Sequence, residues 1–94
     1  MLIVSGWIRV DPSARDEYLM DSMEVVECAR DAPGCVDFAL SADILDPDRI
    51  NIYERWESEA QLLQFRGNGP TPKQSAQILQ AEVARHVISG TGPA

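Results

Sequence analysis

The chain has 94 residues, which is one small domain with an expected radius of gyration of roughly 12 Å and a single core, and two-domain enzyme architectures are excluded. Apolar residues make up 45% and charged residues 24%, ordinary for a globular chain, while 15 acidic against 8 basic side chains leave a formal net charge of -7. One lysine (Lys73) and seven arginines scattered from Arg9 to Arg85 do not form the cationic stripe that neutralises phosphates, which argues against nucleic acid and against an anionic membrane surface as partners.

No apolar run reaches the roughly 18 residues of a spanning helix, and the N-terminus has no basic region followed by a long apolar stretch, so a cytoplasmic protein is expected. Residues 1–94 read as one domain, with 89–94 as a flexible tail. Cys28 and Cys35 are too few for a disulfide framework, and with one histidine they do not complete a four-ligand zinc set; two free thiols or a bridge across the helix end between them remain open.

In chain order, Leu2 to Val10 alternates with a period of two and predicts a strand, with Leu2, Val4, Ile8 and Val10 on one face and Ile3, Ser5, Trp7 and Arg9 on the other. Asp11-Pro12-Ser13 starts a helix, in which Tyr18, Leu19, Ser22, Val25, Val26 and Ala29 form one stripe opposite an acidic ridge of Asp16, Glu17, Glu24, Glu27 and Asp31. Pro33-Gly34 stops it, and Cys35 to Ala42 is a second strand with Val36, Phe38 and Leu40 facing one way. Asp46-Pro47-Asp48 is a hairpin turn into a third strand, Arg49 to Glu57.

Ser58-Glu59-Ala60-Gln61 is a capping box for a short helix carrying Leu62, Leu63 and Phe65, broken by Gly67-Asn68-Gly69-Pro70. A second box, Thr71-Pro72-Lys73-Gln74, opens a helix to Gln80, and Glu82 to Ser89 is a fourth strand. The glycines and prolines between Gly67 and Pro72 suit either a rigid loop or a mobile gate. The order strand, helix, strand, strand, helix, helix, strand predicts an α+β fold: a ferredoxin-like split βαβ with a four-stranded antiparallel sheet and helices on one face.

If the helices cover Val4, Ile8, Val36, Phe38, Leu40, Ile50, Ile52 and Trp56, then Ile3, Trp7, Asn51 and Tyr53 point away from them. A sheet face carrying large aromatics suits an interface, so a homodimer through Ile3, Trp7 and Tyr53 is expected, unless the chain's own tail covers Trp7.

Pro33-Gly34-Cys35-Val36-Asp37-Phe38, then Asp46-Pro47, then Tyr53-Glu54-Arg55-Trp56-Glu57-Ser58 arrive in the order and spacing of the antibiotic biosynthesis monooxygenase (ABM) domain family, which the chain resembles over nearly its whole length. The resemblance implies a dimeric α+β barrel and a cofactor-independent, metal-free monooxygenase of a small aromatic quinol, phenol or anthrone. Its pocket would lie between sheet and helices. Glu54 and Trp56 sit at the family's Glu-x-Trp positions, Glu54 as the catalytic base, and Trp56, Phe38, Ile52, Phe65 and Tyr18 as substrate-binding residues. Two readings of the pair stay open: a general base beside an aromatic wall with a free indole donor, or a core tryptophan with a buried carboxylate paired to an arginine.

Many members of that family place a histidine in the helix after the Trp-x-Ser junction, where this chain reads Gln64-Phe65-Arg66. The haem-degrading branch uses that histidine, together with an asparagine in the first strand, where this chain reads Ser5-Gly6-Trp7; haem degradation is therefore not expected. The single histidine, His86, falls in the last strand. Loss of the histidine positions also suits a catalytically silent, ligand-binding homodimer, and fold alone does not choose between the two. The net charge is expected to disfavour anionic substrates approaching from bulk.

Overall fold

The computed structural model describes residues 1–67 and 72–94 of the chain. In order the elements are β1 (Leu2–Arg9), a 3-10 turn (Pro12–Ala14), α1 (Arg15–Asp21), α2 (Met23–Asp31), β2 (Cys35–Ala42), β3 (Arg49–Trp56), α3 (Glu59–Arg66), α4 (Pro72–Gln77) and β4 (Gln80–Val87). The four strands form one antiparallel sheet in the order β2-β3-β1-β4, with helices on one face, as the alternation predicts. The last helix ends at Gln77 rather than Gln80, and β4 starts earlier and ends earlier than expected. The Thr71 cap and most of the expected gate lie outside the described residues.

The helix expected from Asp11 onward is broken at Ser22, which separates α1 from α2. Its hydroxyl donates to the Tyr18 carbonyl at 2.8 Å and accepts from the Gln74 side chain at 3.0 Å. A serine bonding back one turn competes with the helical ladder and bends it. The helical stripe is otherwise as predicted: Tyr18, Ser22 and Ala29 are buried and the acidic ridge is exposed. Asp11 caps the 3-10 turn by accepting from the Ser13 amide, and Gly34 closes α2 at φ +84, a conformation that disfavours a side chain.

Two apolar clusters fill the space between layers. One joins Leu2, Val4, Ala29, Phe38, Trp56 and Leu62; the other joins Ile8, Val10, Tyr18 and Ile50. Val36 is a correction. It is half exposed because β2 carries a bulge between Cys35 and Asp37, which shifts the register so that Cys35, not Val36, lies opposite Trp56 and packs on the core. The two cysteines are free, so the bridge is not formed.

The uncovered sheet face carries Ile3, Trp7, Asn51 and Tyr53, as parity requires. Trp7 is half-buried, but not by the tail: the guanidinium carbons of Arg9 and Arg49 stand 4.9 and 5.3 Å from its ring centroid. Both arginines are held by the β2-β3 turn, Arg9 by Asp48 at 2.7 Å and Arg49 by Asp43 at 3.7 Å.

Candidate functional site

Strand register builds the site. Directly opposite residues in antiparallel strands share a face, so Phe38 (β2), Glu54 (β3), Val4 (β1) and Arg85 (β4) form one row across the helix-covered side. The adjoining row is Leu40, Ile52, Gly6 and Val83, in which Gly6 contributes no side chain.

Glu54 is 8% exposed. Its Oε1 accepts the Trp56 indole N–H at 3.0 Å, a bond between residues two apart on one strand face. Its Oε2 accepts no hydrogen bond among the described residues and lies 3.9 Å from Nη2 of Arg66, in the last turn of α3. Burial raises the Glu54 pKa above its ordinary value, opposed by the Trp56 hydrogen bond and by the Arg66 charge. The carboxylate therefore has one oxygen fixed and one directed to a cation.

Arg66 belongs to both the carboxylate and the solvent. It lines a solvent-open cleft of about 520 Å³ between α3 and β4, together with Val4, Leu63, Val83 and Arg85. Arg85 also meets Glu59 at the start of α3, Nη1 to Oε1 3.0 Å. Ser58 fixes the helical phase by accepting the Gln61 amide, which puts Leu62 in the core and Arg66, one turn later, on the same side. A second cleft, about 390 Å³, runs along the β2 edge past Leu19, Met23, Val26, Arg30 and Leu40; Glu54 lines neither cleft, and its link to the first is Arg66.

Of the expected site residues, Glu54, Trp56, Phe38 and Phe65 come together. Phe65 lies edge-on to Phe38 (centroids 5.8 Å, 67°) and tilted over Trp56 (5.2 Å, 34°). Tyr18 and Ile52 sit in or against the other cluster. Trp56 is fully buried and its N–H is committed to Glu54, so it offers a ligand neither a free donor nor an exposed wall. Both halves of the second reading of the pair are thus present: a core tryptophan and a carboxylate beside an arginine. That arginine is neither Arg9 nor Arg55, which parity puts on the other face, but Arg66.

The residues the sequence reading missed are Arg66, Leu63, Val83 and Arg85. The signal for Arg66 was its four-residue spacing from Leu62 in a helix whose phase the Ser58 cap already sets; for Arg85 it was parity in the last strand. No group of three or more His, Cys, Asp or Glu side chains suited to a metal ion occurs among the described residues. A histidine-ligated haem does not fit this cleft, because His86 pairs with Ile3 and so lies on the opposite face of the sheet. No helix among the described residues is long and apolar enough to cross a membrane.

A family model described as antibiotic biosynthesis monooxygenase matches residues 1–84. An uncharacterized protein of Synechocystis sp., sll1783, is 28% identical over 61 residues, which is 65% of this chain and 42% of that protein; the chain spans less than half the length of the curated relative it matches. Among solved structures, one described as an antibiotic biosynthesis monooxygenase superposes with a TM-score of 0.83 at 26% identity, covering 96% of this chain and 100% of that one. A conserved protein from Methanosarcina mazei Go1 superposes with a TM-score of 0.81 at 19% identity, covering 90% of this chain and 89% of its own, a likeness of fold.

Proposed function

The chain belongs to the antibiotic biosynthesis monooxygenase family, and from that premise we propose that it is a cofactor-independent monooxygenase of a small aromatic quinol, phenol or anthrone, working in the cytoplasm as a homodimer. The substrate enters between α3 and β4 and presents its acidic hydrogen to Oε2 of Glu54. The proton passes to the carboxylate, and the electron-rich substrate anion reacts directly with O₂. For an anthrone the methylene becomes a carbonyl and the second oxygen atom leaves as water, so the equation closes without an external reductant.

The observation that supports this reading most is the position of one carboxylate. Glu54 is buried, has a raised pKa, has one oxygen with no hydrogen bond among the described residues, and sits beside an arginine that lines an open cleft. A base tuned upward toward the working pH is the group such a proton transfer needs. The dimer is supported by Ile3, Trp7 and Tyr53 lying together on a sheet face that no helix covers.

A second reading, a catalytically silent dimer that binds a small molecule, draws on the packing of Phe65 against Phe38 and Trp56, which fills the interior where a substrate ring would otherwise insert. Oxygen uptake separates the two. With a panel of quinols and anthrones, the oxygenase reading expects one O₂ consumed per anthrone converted to anthraquinone; binding of the same compounds with no uptake above the buffer rate favours the silent dimer.

A further inference from the structure

A sheet ends on unpaired backbone at its outer strands, and β2 is an outer strand here. Antiparallel neighbours alternate between pairs that exchange hydrogen bonds and pairs whose N–H and C=O groups point outward. Phe38 belongs to the outward kind: its N–H donates to Oδ1 of Asp37 at 2.8 Å and its C=O accepts from Nε of Arg30 at 2.9 Å. The register runs unbroken from there to Ala42, so Leu40 and Ala42 also direct their backbone groups away from β3, while the Asp43 amide, of the other parity, bonds to Arg49. Half of this edge is closed. The bulge at Cys35–Asp37 and the Asp37 and Arg30 side chains blunt it as far as Phe38, whereas no hydrogen bond meets the outward groups of Leu40 and Ala42 among the described residues.

The open half borders the cleft of about 390 Å³ between α2 and β2, where Leu19, Met23, Val26 and Leu40 supply apolar lining and Glu27 and Arg30 the charges. We propose that this groove takes an extended, basic peptide segment of another protein as a fifth, antiparallel strand on β2. Directly opposite residues share a face, so the peptide residues set against Leu40 and Ala42 turn their side chains into the cleft and the residue between them turns away. The pattern recognised is apolar-x-apolar, with backbone hydrogen bonds supplying affinity and the cleft supplying selection. Charge decides the occupant. α2 carries Glu24, Glu27 and Asp31 against Arg30 alone, and Arg30 is already held at the Phe38 carbonyl. A second copy joined β2 to β2 would bring two such helices and two chains of net charge -7 together, while lysines flanking the apolar residues of a peptide meet the acidic side chains. Met23, 59% exposed, lines the groove with a flexible side chain that adapts to varied apolar partners. The site is independent of the chemistry proposed for Glu54, which does not line this cleft.

The probe is the peptide acetyl-Lys-Val-Lys-Val-Lys-amide, titrated into the full chain by calorimetry and followed by amide hydrogen exchange. Three analogues accompany it: both valines N-methylated, both valines replaced by serine, and all lysines replaced by glutamate. The parent peptide is expected to bind with a Kd below about 1 mM and to slow exchange at the Leu40 and Ala42 amides, leaving those of β4 unchanged. N-methylation removes two backbone donors and is expected to weaken binding at least about tenfold; the serine and glutamate analogues are expected to bind more weakly than the parent as well. Ala42→Pro deletes one outward N–H without touching a bond to β3 and is expected to weaken the parent peptide at least about fivefold. The N-methyl comparison uses the unaltered chain and stands even if that variant fails to fold. No binding up to about 1 mM, undiminished binding of any of the three analogues, or protection confined to other amides overturns the proposal. Protection of Leu40 and Ala42 without peptide, rising with protein concentration, assigns the edge to a second copy and overturns it too.

Discussion

Glu54 is where the site and the stability of the chain meet. Its folded-state pKa is raised from an ordinary 4.5, so the folded chain holds that proton more tightly than the unfolded chain does. The stabilisation from the protonated form is complete below the unfolded value and is lost as pH rises through the folded one. Glu54→Gln keeps an oxygen to accept the Trp56 N–H and removes the buried charge. Calorimetry is expected to give this variant a higher Tm than the wild type above neutral pH, with the gap closing below about pH 4; a gap of the opposite sign contradicts the assignment. Trp56→Phe deletes the bond that opposes the upward shift of the Glu54 pKa, at a core cost of roughly 2 kcal/mol. Carbon-13 NMR of the glutamate carboxyl is expected to show the Glu54 midpoint moving further up, and an unchanged or lowered midpoint shows that the bond has no electrostatic role.

At the scale of elements, a glycine in β1 and the β2-β3 turn hold the sheet together. Gly6 sits in β1 at φ +152, and a Cβ there would run into the β4 backbone at Glu82 and Val83. The strand therefore tolerates no side chain at this position. Gly6→Ala is expected to cost at least about 2 kcal/mol and to loosen β4 first, read as faster amide exchange at Ala81–Arg85 than in β3. The β2-β3 turn is organised by Asp43, whose carboxylate accepts from the amides of Leu45 and Asp46 and from the Asn51 side chain. These bonds hold its pKa down to about 2, so its contribution is present above the ordinary value near 3.8 and is lost as pH falls through the folded value. Acidification from pH 4 to 2 is expected to release the turn, seen as loss of the Leu45 and Asp46 amide protection.

Much of the sheet was legible because a period of two leaves a mark at every residue: parity alone put Glu54 and Trp56 on one side and Trp7 and Tyr53 on the other. The bulge at Cys35–Asp37 was not legible, since one extra residue changes the face of Val36 without altering any local propensity. The break at Ser22 was hidden because its cause is a side-chain bond back to Tyr18 and a partner, Gln74, from a distant helix. Arg66 was overlooked for a related reason. Alternation identifies sheet faces, but pairing a strand carboxylate with a helix cation needs the docking angle of α3, which no local pattern carries.

The whole molecule is a slab, 38 × 31 × 19 Å, with a radius of gyration of 13.6 Å against the roughly 12 Å of a compact chain of this length. A thickness of 19 Å is about two packed layers, one sheet and one layer of helices, so the described residues place no third layer over the aromatic sheet face. A second copy supplies it in the proposed dimer. Trp7 already has a guanidinium partner on its own chain, so its truncation removes ring contacts without exposing a core. Sedimentation velocity is expected to show the wild type as a dimer at micromolar concentration and Trp7→Ala or Tyr53→Ala weakened at least about tenfold, equivalent to 1.4 kcal/mol; a wild-type monomer under those conditions contradicts the interface.

The most direct measurement is a single turnover of an anthrone followed spectroscopically with the wild type and with Glu54→Gln, both verified as folded. Proton abstraction by Glu54 predicts that formation of the anthrone anion and then of anthraquinone slows by roughly 10² to 10⁴ in the variant while ligand binding persists. Equal rates in the two proteins would contradict it.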